Sequence, residues 1–211
     1  MKSSLIRPAL ALTLALGLAA CGGGSDKAEF TVAGTIGGLV YPDLVLINGG
    51  TRINVAPPAK AGDPVTFAFP NKLEYGDEYH VLIDRQPQHQ TCEFPGTFTN
   101  DLINKDTAGR LARINVIVNC FINDFAIGGK ISGLTVDGLQ LANGSTTGIL
   151  TLTKNATTFD YAMPLEVPYN VSYGVTVVKQ PDGLVCTVSN PTGVMGDAPV
   201  TNINVNCVPR T

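Results

Sequence analysis

The chain writes one phrase twice. Gln86-Pro87 is followed by four residues and Cys92, and Gln180-Pro181 by four residues and Cys186, at a spacing of 94. The match extends in both directions. Phe30 to Leu39 aligns with Phe125 to Leu134 at an offset of 95, with Gly34 on Gly129 and Gly38 on Gly133. Asp43 to Gly49 aligns with Gly138 to Gly144, bringing Leu46 onto Leu141 and Asn48 onto Asn143. Phe67-Ala68-Phe69 is set against Phe159-Asp160-Tyr161. Asn115 to Cys120 aligns with Asn202 to Cys207, where the offset falls to 87 because the first copy has a longer loop before its last strand. The copies run over about 30–121 and 125–208, each of a size that suits a small domain.

Each copy is written in strand residues. The chain is rich in Val, Thr, Ile, Gly and Asn, only 15% of it is charged, and no helical periodicity follows the first 21 residues. In the first copy about seven short strands are predicted near 30–36, 44–48, 51–55, 65–69, 78–84, 90–94 and 113–120, separated by Gly, Pro, Asn and Asp at the spacing of a sandwich. The alternation is clearest over Arg113–Cys120, where Ile114, Val116, Val118 and Cys120 share one face. Ile203, Val205 and Cys207 repeat it. The Gly-rich turn Ile47–Gly50 lies between two strands and reads as a hairpin rather than a phosphate loop, since no helix follows. Asn143, Asn155 and Asn170 open glycosylation-like triplets that are read as chance turns.

Each copy holds one mid-domain and one terminal cysteine, so the repeat chooses among the three pairings that four cysteines allow. It pairs Cys92 with Cys120 and Cys186 with Cys207. Both lie on the inward face of their strands and are expected to be buried. Closing such loops is worth roughly 3 to 4 kcal/mol in the chain-entropy model, a large share for a domain of this size.

The first residues read as an address. Lys2 and Arg7 precede an apolar run, Ala9 to Leu18, too short to span a bilayer. It ends in Leu18-Ala19-Ala20-Cys21, which resembles the lipobox of bacterial lipoproteins. The resemblance implies a signal peptide over 1–20, a diacylglyceryl thioether on Cys21 and acylation of its amine, an anchor made durable by several acyl chains. Gly22, where Asp would favour inner-membrane retention, implies export to the outer membrane. Residues 21–29 are the lipidated cysteine and a flexible Gly-rich tether. Without Lys2 and Arg7 the chain has 12 basic and 17 acidic residues, a net charge of −5. No basic stripe exists, which argues against nucleic acid, and lipid is the predicted membrane attachment.

Gly128-Gly129, Gly133-Leu134, Leu139, Leu141, Asn143, Gln180-Pro181, Cys186, Val188, Asn190, Gly193, Val200, Asn202, Ile203, Val205 and Cys207 resemble a repeat found in proteobacterial secreted proteins and lipoproteins. The first copy departs from it at Gln88-His89-Gln90 and in the loop from Phe94 to Arg113. The resemblance implies an all-β fold: two tandem Ig-like or fibronectin-III-like β-sandwich domains covering nearly all of the exported chain. It implies no shared catalysis. Leu73 to Val81 and Leu165 to Val175 resemble the tyrosine corner of those folds, which gives Tyr79 and Tyr173 a structural role, the hydroxyl tying a crossing connection to its strand.

Little in the sequence points to chemistry. The two histidines, His80 and His89, lack CxxC, HxH or HExxH spacing; Glu78 or Asp84 beside His80 is the one conceivable metal pair, and none is expected. There is no GxSxG elbow and no paired carboxylates, and the cysteines are committed to disulfides and lipid. No catalytic residue, metal or cofactor is predicted. The asymmetric loop 94–113 is where binding is usually grafted on a sandwich; Phe98, Leu102 and Ile103 form a candidate binding tip, or else pack over the sandwich end. The expectation is a non-enzymatic outer-membrane lipoprotein, a short stiff rod acting as a structural or adhesive module for a protein partner. The alternative is a carbohydrate-binding module, weakened by the absence of Trp, with Tyr41, Tyr75 and Tyr161 as the rings available for stacking.

Overall fold

The computed structural model describes residues 28–96, 104–144 and 147–211. The leader, Cys21 and the tether up to Lys27 lie outside these residues, as do Phe98, Leu102 and Ile103; Glu29, placed at the end of the tether by sequence, instead opens the first strand. The described chain is all-β. Its first half holds β1 (Glu29–Gly37), β2 (Leu44–Asn48), β3 (Thr51–Val55), β4 (Val65–Glu74), β5 (Glu78–Arg85), β6 (Gln90–Glu93), β7 (Lys105–Thr107) and β8 (Ile114–Ile122). Then follow β9 (Asp124–Phe125), β10 (Gly128–Ser132), β11 (Leu139–Asn143), β12 (Leu150–Leu152), β13 (Phe159–Ala162), β14 (Val167–Pro168), β15 (Ser172–Lys179), β16 (Leu184–Ser189), β17 (Thr192–Val194) and β18 (Asn204–Pro209).

The strands form sheets in a pattern that occurs twice. The first half has the orders β4-β1-β8-β6 and β3-β2-β5-β7; the second has β13-β10-β18-β16 and β12-β11-β15-β17. The opening strand lies parallel to the closing one each time, β1 to β8 and β10 to β18. The remaining two-stranded sheet pairs β9 with β14 at the crossing between the halves.

Period-two patterning places the core. In β8, Ile114, Val116, Val118 and Cys120 are buried and Asn115, Ile117 and Phe121 point out. Ile203, Val205 and Cys207 repeat this. With Val32, Ile36, Leu44, Leu46 and Val81 the first set makes one apolar cluster; Ile131, Leu139, Leu141 and Val175 join the second. The two clusters share no residue. Each such side chain contributes about 1.5–3 kcal/mol when taken from water. Face-to-face packing of two antiparallel-rich sheets around such a core is a β-sandwich arrangement.

Both disulfides form as the repeat requires. Cys92 on β6 is bonded to Cys120 on β8, and Cys186 on β16 to Cys207 on β18, each pair directly opposite in register and buried. The phrase that occurs twice has a local cause. The Gln86 amide donates to the carbonyl of Cys92 at 3.0 Å and accepts from its N–H at 2.7 Å. Gln180 does the same to Cys186 at 3.0 and 2.8 Å. The glutamine side chain thus imitates a neighbouring strand on the edge of β6 and β16, satisfying backbone groups that an edge would leave open.

Three sequence expectations are corrected. About seven strands are expected in the first half; within the predicted loop, Lys105-Asp106-Thr107 pair with His80, Tyr79 and Glu78 as an additional strand. The aromatic alignment slips by one pleat. Gly34 faces Phe67 and Gly129 faces Tyr161, so Phe67, not Phe69, is the counterpart of Tyr161; a two-residue slip keeps the same face and is invisible to alternation. Finally, among the described residues neither Tyr79 nor Tyr173 donates a side-chain hydrogen bond, and the tyrosine that ties segments together is Tyr161, whose hydroxyl donates to the carbonyl of Ile203 at 2.8 Å. Tyr79 keeps its structural role by burial in the core.

Candidate functional site

A cleft of about 780 Å³ opens at the edge of the first half, between the β2–β3 turn, β4, the start of β5 and β7. The β2–β3 turn is the predicted hairpin, with Asn48 opposite Thr51. Asn48 accepts the backbone N–H of His80 at 3.0 Å, which fixes one wall. Asn71 donates to Thr51 at 2.8 Å, and Lys72 reaches the Thr31 hydroxyl.

The opposite wall is the segment from Asn104 to Arg110. Asn104 anchors it to Val81 with two hydrogen bonds, N–H of Val81 to its carbonyl at 2.7 Å and its side-chain amide to the Val81 carbonyl at 3.0 Å. Ala108 closes it from the other end, accepting from Gly76 and donating to Asp77. Between these anchors Asp106 accepts from the Thr107 N–H at 2.7 Å and pairs with Arg110 at 2.9 Å. Tyr79 lies beneath, and its phenol is pushed above its ordinary value, first by burial and then by the Asp106 charge.

The cleft is therefore lined by Lys72, Lys105 and Arg110, by Glu78 and Asp106, and by Asn48 and Asn71. This is a surface for hydrogen bonding and for ion pairing of both signs. Among the described residues no group of three or more His, Cys, Asp or Glu is placed to hold a metal ion. Asp84, a conceivable partner of His80, is taken by Arg52 at 2.8 Å, whose hydrogen bond holds the carboxyl below its ordinary value. Of the rings suggested for stacking sugars, Tyr161 is buried in the second core and Tyr41 packs on His89 and Tyr169. Tyr75 alone of the three is open, at 76% exposure.

A second constellation lies where the halves meet. The His89 imidazole stacks on the Tyr169 ring, centroids 3.7 Å apart and planes 4° from parallel, and Tyr41 meets both rings edge-on at 5.0 and 5.7 Å. His89 Nδ1 is 2.8 Å from Asp197 Oδ1. Sequence reasoning marked Gln88-His89-Gln90 as a departure from the repeat but gave it no role; the departure itself was the available signal.

No protein-family model matches the chain, and no curated protein matches it.

Proposed function

We propose that the chain is a bacterial outer-membrane lipoprotein, anchored through Cys21, whose exported part is two tandem Ig-like β-sandwich domains over about 30–121 and 125–208. It acts without catalysis, as a structural or adhesive module that engages a protein partner. The observation that carries this reading is the twofold strand order, each copy with its own apolar cluster and its own buried disulfide. An oxidised, doubly stapled rod suits an envelope compartment, where disulfides persist. The cleft of the first half is the surface assigned to the partner: its cations and carboxylates, of which Arg110 and Asp106 form an ion pair, suit a polar polypeptide segment more than an apolar one. Phe98, Leu102 and Ile103, which lie outside the described residues, are proposed from sequence as a further contact.

A carbohydrate ligand is the second reading. It is favoured by one feature, the exposed Tyr75 whose ring lies over Gly109, next to Arg110 of the cleft. A single ring beside amides and charges is a sugar-binding combination, though without a row of rings it is a weak platform.

Labelled palmitate and protease shaving of intact cells test the proposal together. Label in the wild type and none in Cys21→Ala supports the anchor; label in neither rejects it. Digestion in intact cells, with a periplasmic protein intact as control, supports the adhesive role. Protection until the outer membrane is opened rejects that role and turns the search to periplasmic partners.

A further inference from the structure

Three consecutive residues at which the first copy abandons the repeat lie at the junction, and the central one, His89, reaches the second half. Gln88, His89 and Gln90 stand where the second copy has Asp182, Gly183 and Leu184. The turn is the same in both, and it needs a left-handed residue: φ is 56° at His89 and 71° at Gly183. Glycine adopts this without strain, and a residue with a Cβ does not. Histidine is therefore a poor choice for the turn taken alone, and its side chain must recover the loss elsewhere.

It does so mainly on the second half, with one first-half ring at its edge. The ring is sandwiched on Tyr169 with Tyr41 at its edge, and its Nδ1–H is directed at the Asp197 carboxylate. The edge-on contacts of Tyr41 with both rings are of the kind that is favourable beyond the area they bury. The backbone joins in: the His89 carbonyl accepts from the Asn123 N–H at 2.9 Å, and the Asn123 carbonyl accepts from the Tyr169 N–H at 2.8 Å. Thr91 fixes the Asn123 side chain at 2.7 Å. Asn123 is the single residue between β8 and β9, so the connection is gripped from both halves.

The neighbours of His89 support it. Gln90 is 2% exposed where Leu184 is apolar. Its Oε1 accepts from the N–H groups of Val40 and Tyr41 at 2.7 and 2.9 Å, and its Nε2 donates to the Gly38 carbonyl at 2.7 Å. That holds the loop that presents Tyr41. Gln88 fastens the rest of the loop, donating from its N–H to Pro42 at 3.0 Å and from Nε2 to Asp43 at 2.7 Å.

We propose that Gln88, His89 and Gln90 form a lock that holds the two halves at one fixed angle, with His89 the key seated between Tyr169 and Asp197. The lock works one way only. Gly183 has no side chain to present and Leu184 turns into its core, so the far end of the second half cannot repeat the joint. The inference rests on the two-domain reading, and the test separates the two.

The decisive variant is His89→Gly, which writes the second half's own residue into a turn that prefers it. Residual dipolar couplings of the mature chain, measured for each half, are the readout. In the wild type both halves should report one alignment tensor. In His89→Gly each half should keep its own chemical-shift pattern away from the junction while the common tensor is lost. Tyr169→Ala, made from the opposite side, should give the same loss, and the double variant no more than either single one. One shared tensor in His89→Gly and Tyr169→Ala overturns the lock, as do two tensors in the wild type. The two-domain reading has its own control: removing the Cys186–Cys207 bond should leave the first half folded in the same spectra, and its collapse would reject that reading whatever the tensors show.

Discussion

Tyr161 reaches over Gly129 to give its hydroxyl proton to the carbonyl of Ile203. Gly129 is the register partner of Tyr161, and a Cβ on it would lie 2.2 Å from the same Ile203 oxygen. The missing side chain is thus what lets the bond form.

Tyr161→Phe removes that bond and leaves a buried carbonyl unsatisfied. The expected loss is about 1–3 kcal/mol, read from the denaturant midpoint of the second half. The same residue sets a pH signature. Burial pushes its phenol up to about 12 from 10.0. Its contribution to stability is whole below pH 10 and is lost as pH rises from there through 12, because the unfolded chain ionises first. A stability profile over pH 9 to 12 should fall more steeply in the wild type than in Tyr161→Phe.

Gly34 and Gly129 hold the same place in the two halves, where the first strand meets the last. A Cβ at Gly34 would lie 2.0 Å from the Val116 carbonyl and 2.6 Å from the Phe67 ring. Gly34→Ala and Gly129→Ala should each cost about 1–3 kcal/mol through overpacking. The loss should appear in the half that carries the substitution, as a lowered thermal midpoint of that half's near-ultraviolet or amide signals.

Gln180→Leu keeps the volume of the side chain and removes the amide that pairs with both backbone groups of Cys186. About 1–3 kcal/mol should be lost, and hydrogen exchange at the Cys186 amide should accelerate. Unchanged exchange there would show that solvent replaces the amide at no cost. Gln86→Leu should do the same at Cys92.

Removing either disulfide by paired Cys→Ala substitution should cost about 3 kcal/mol in the chain-entropy model. The sequence separations, 28 and 21 residues, differ too little for the model to distinguish the two bonds. Urea unfolding of each paired variant, followed by signals from each half, measures this.

What could be read from the chain was local or repeated. Alternation over Ile114–Cys120 placed the core because side chains on a strand alternate faces with a period of two. The repeat paired the cysteines because equivalent residues occupy equivalent places. Both arguments need only one strand or one comparison.

Tertiary structure alone decided the rest. Lys105-Asp106-Thr107 carries no apolar alternation and is a strand only because β5 offers it an open edge. The choice of Tyr161 over Tyr79 and Tyr173 as the tying residue depends on which tyrosine stands beside a glycine with a carbonyl behind it. His89 meets Tyr169 and Asp197 across 80 and 108 residues of chain. Nothing short of the packed pair of halves brings those groups within reach, because contacts between distant residues are fixed by how completed sheets dock and not by the preferences of the segments that supply them.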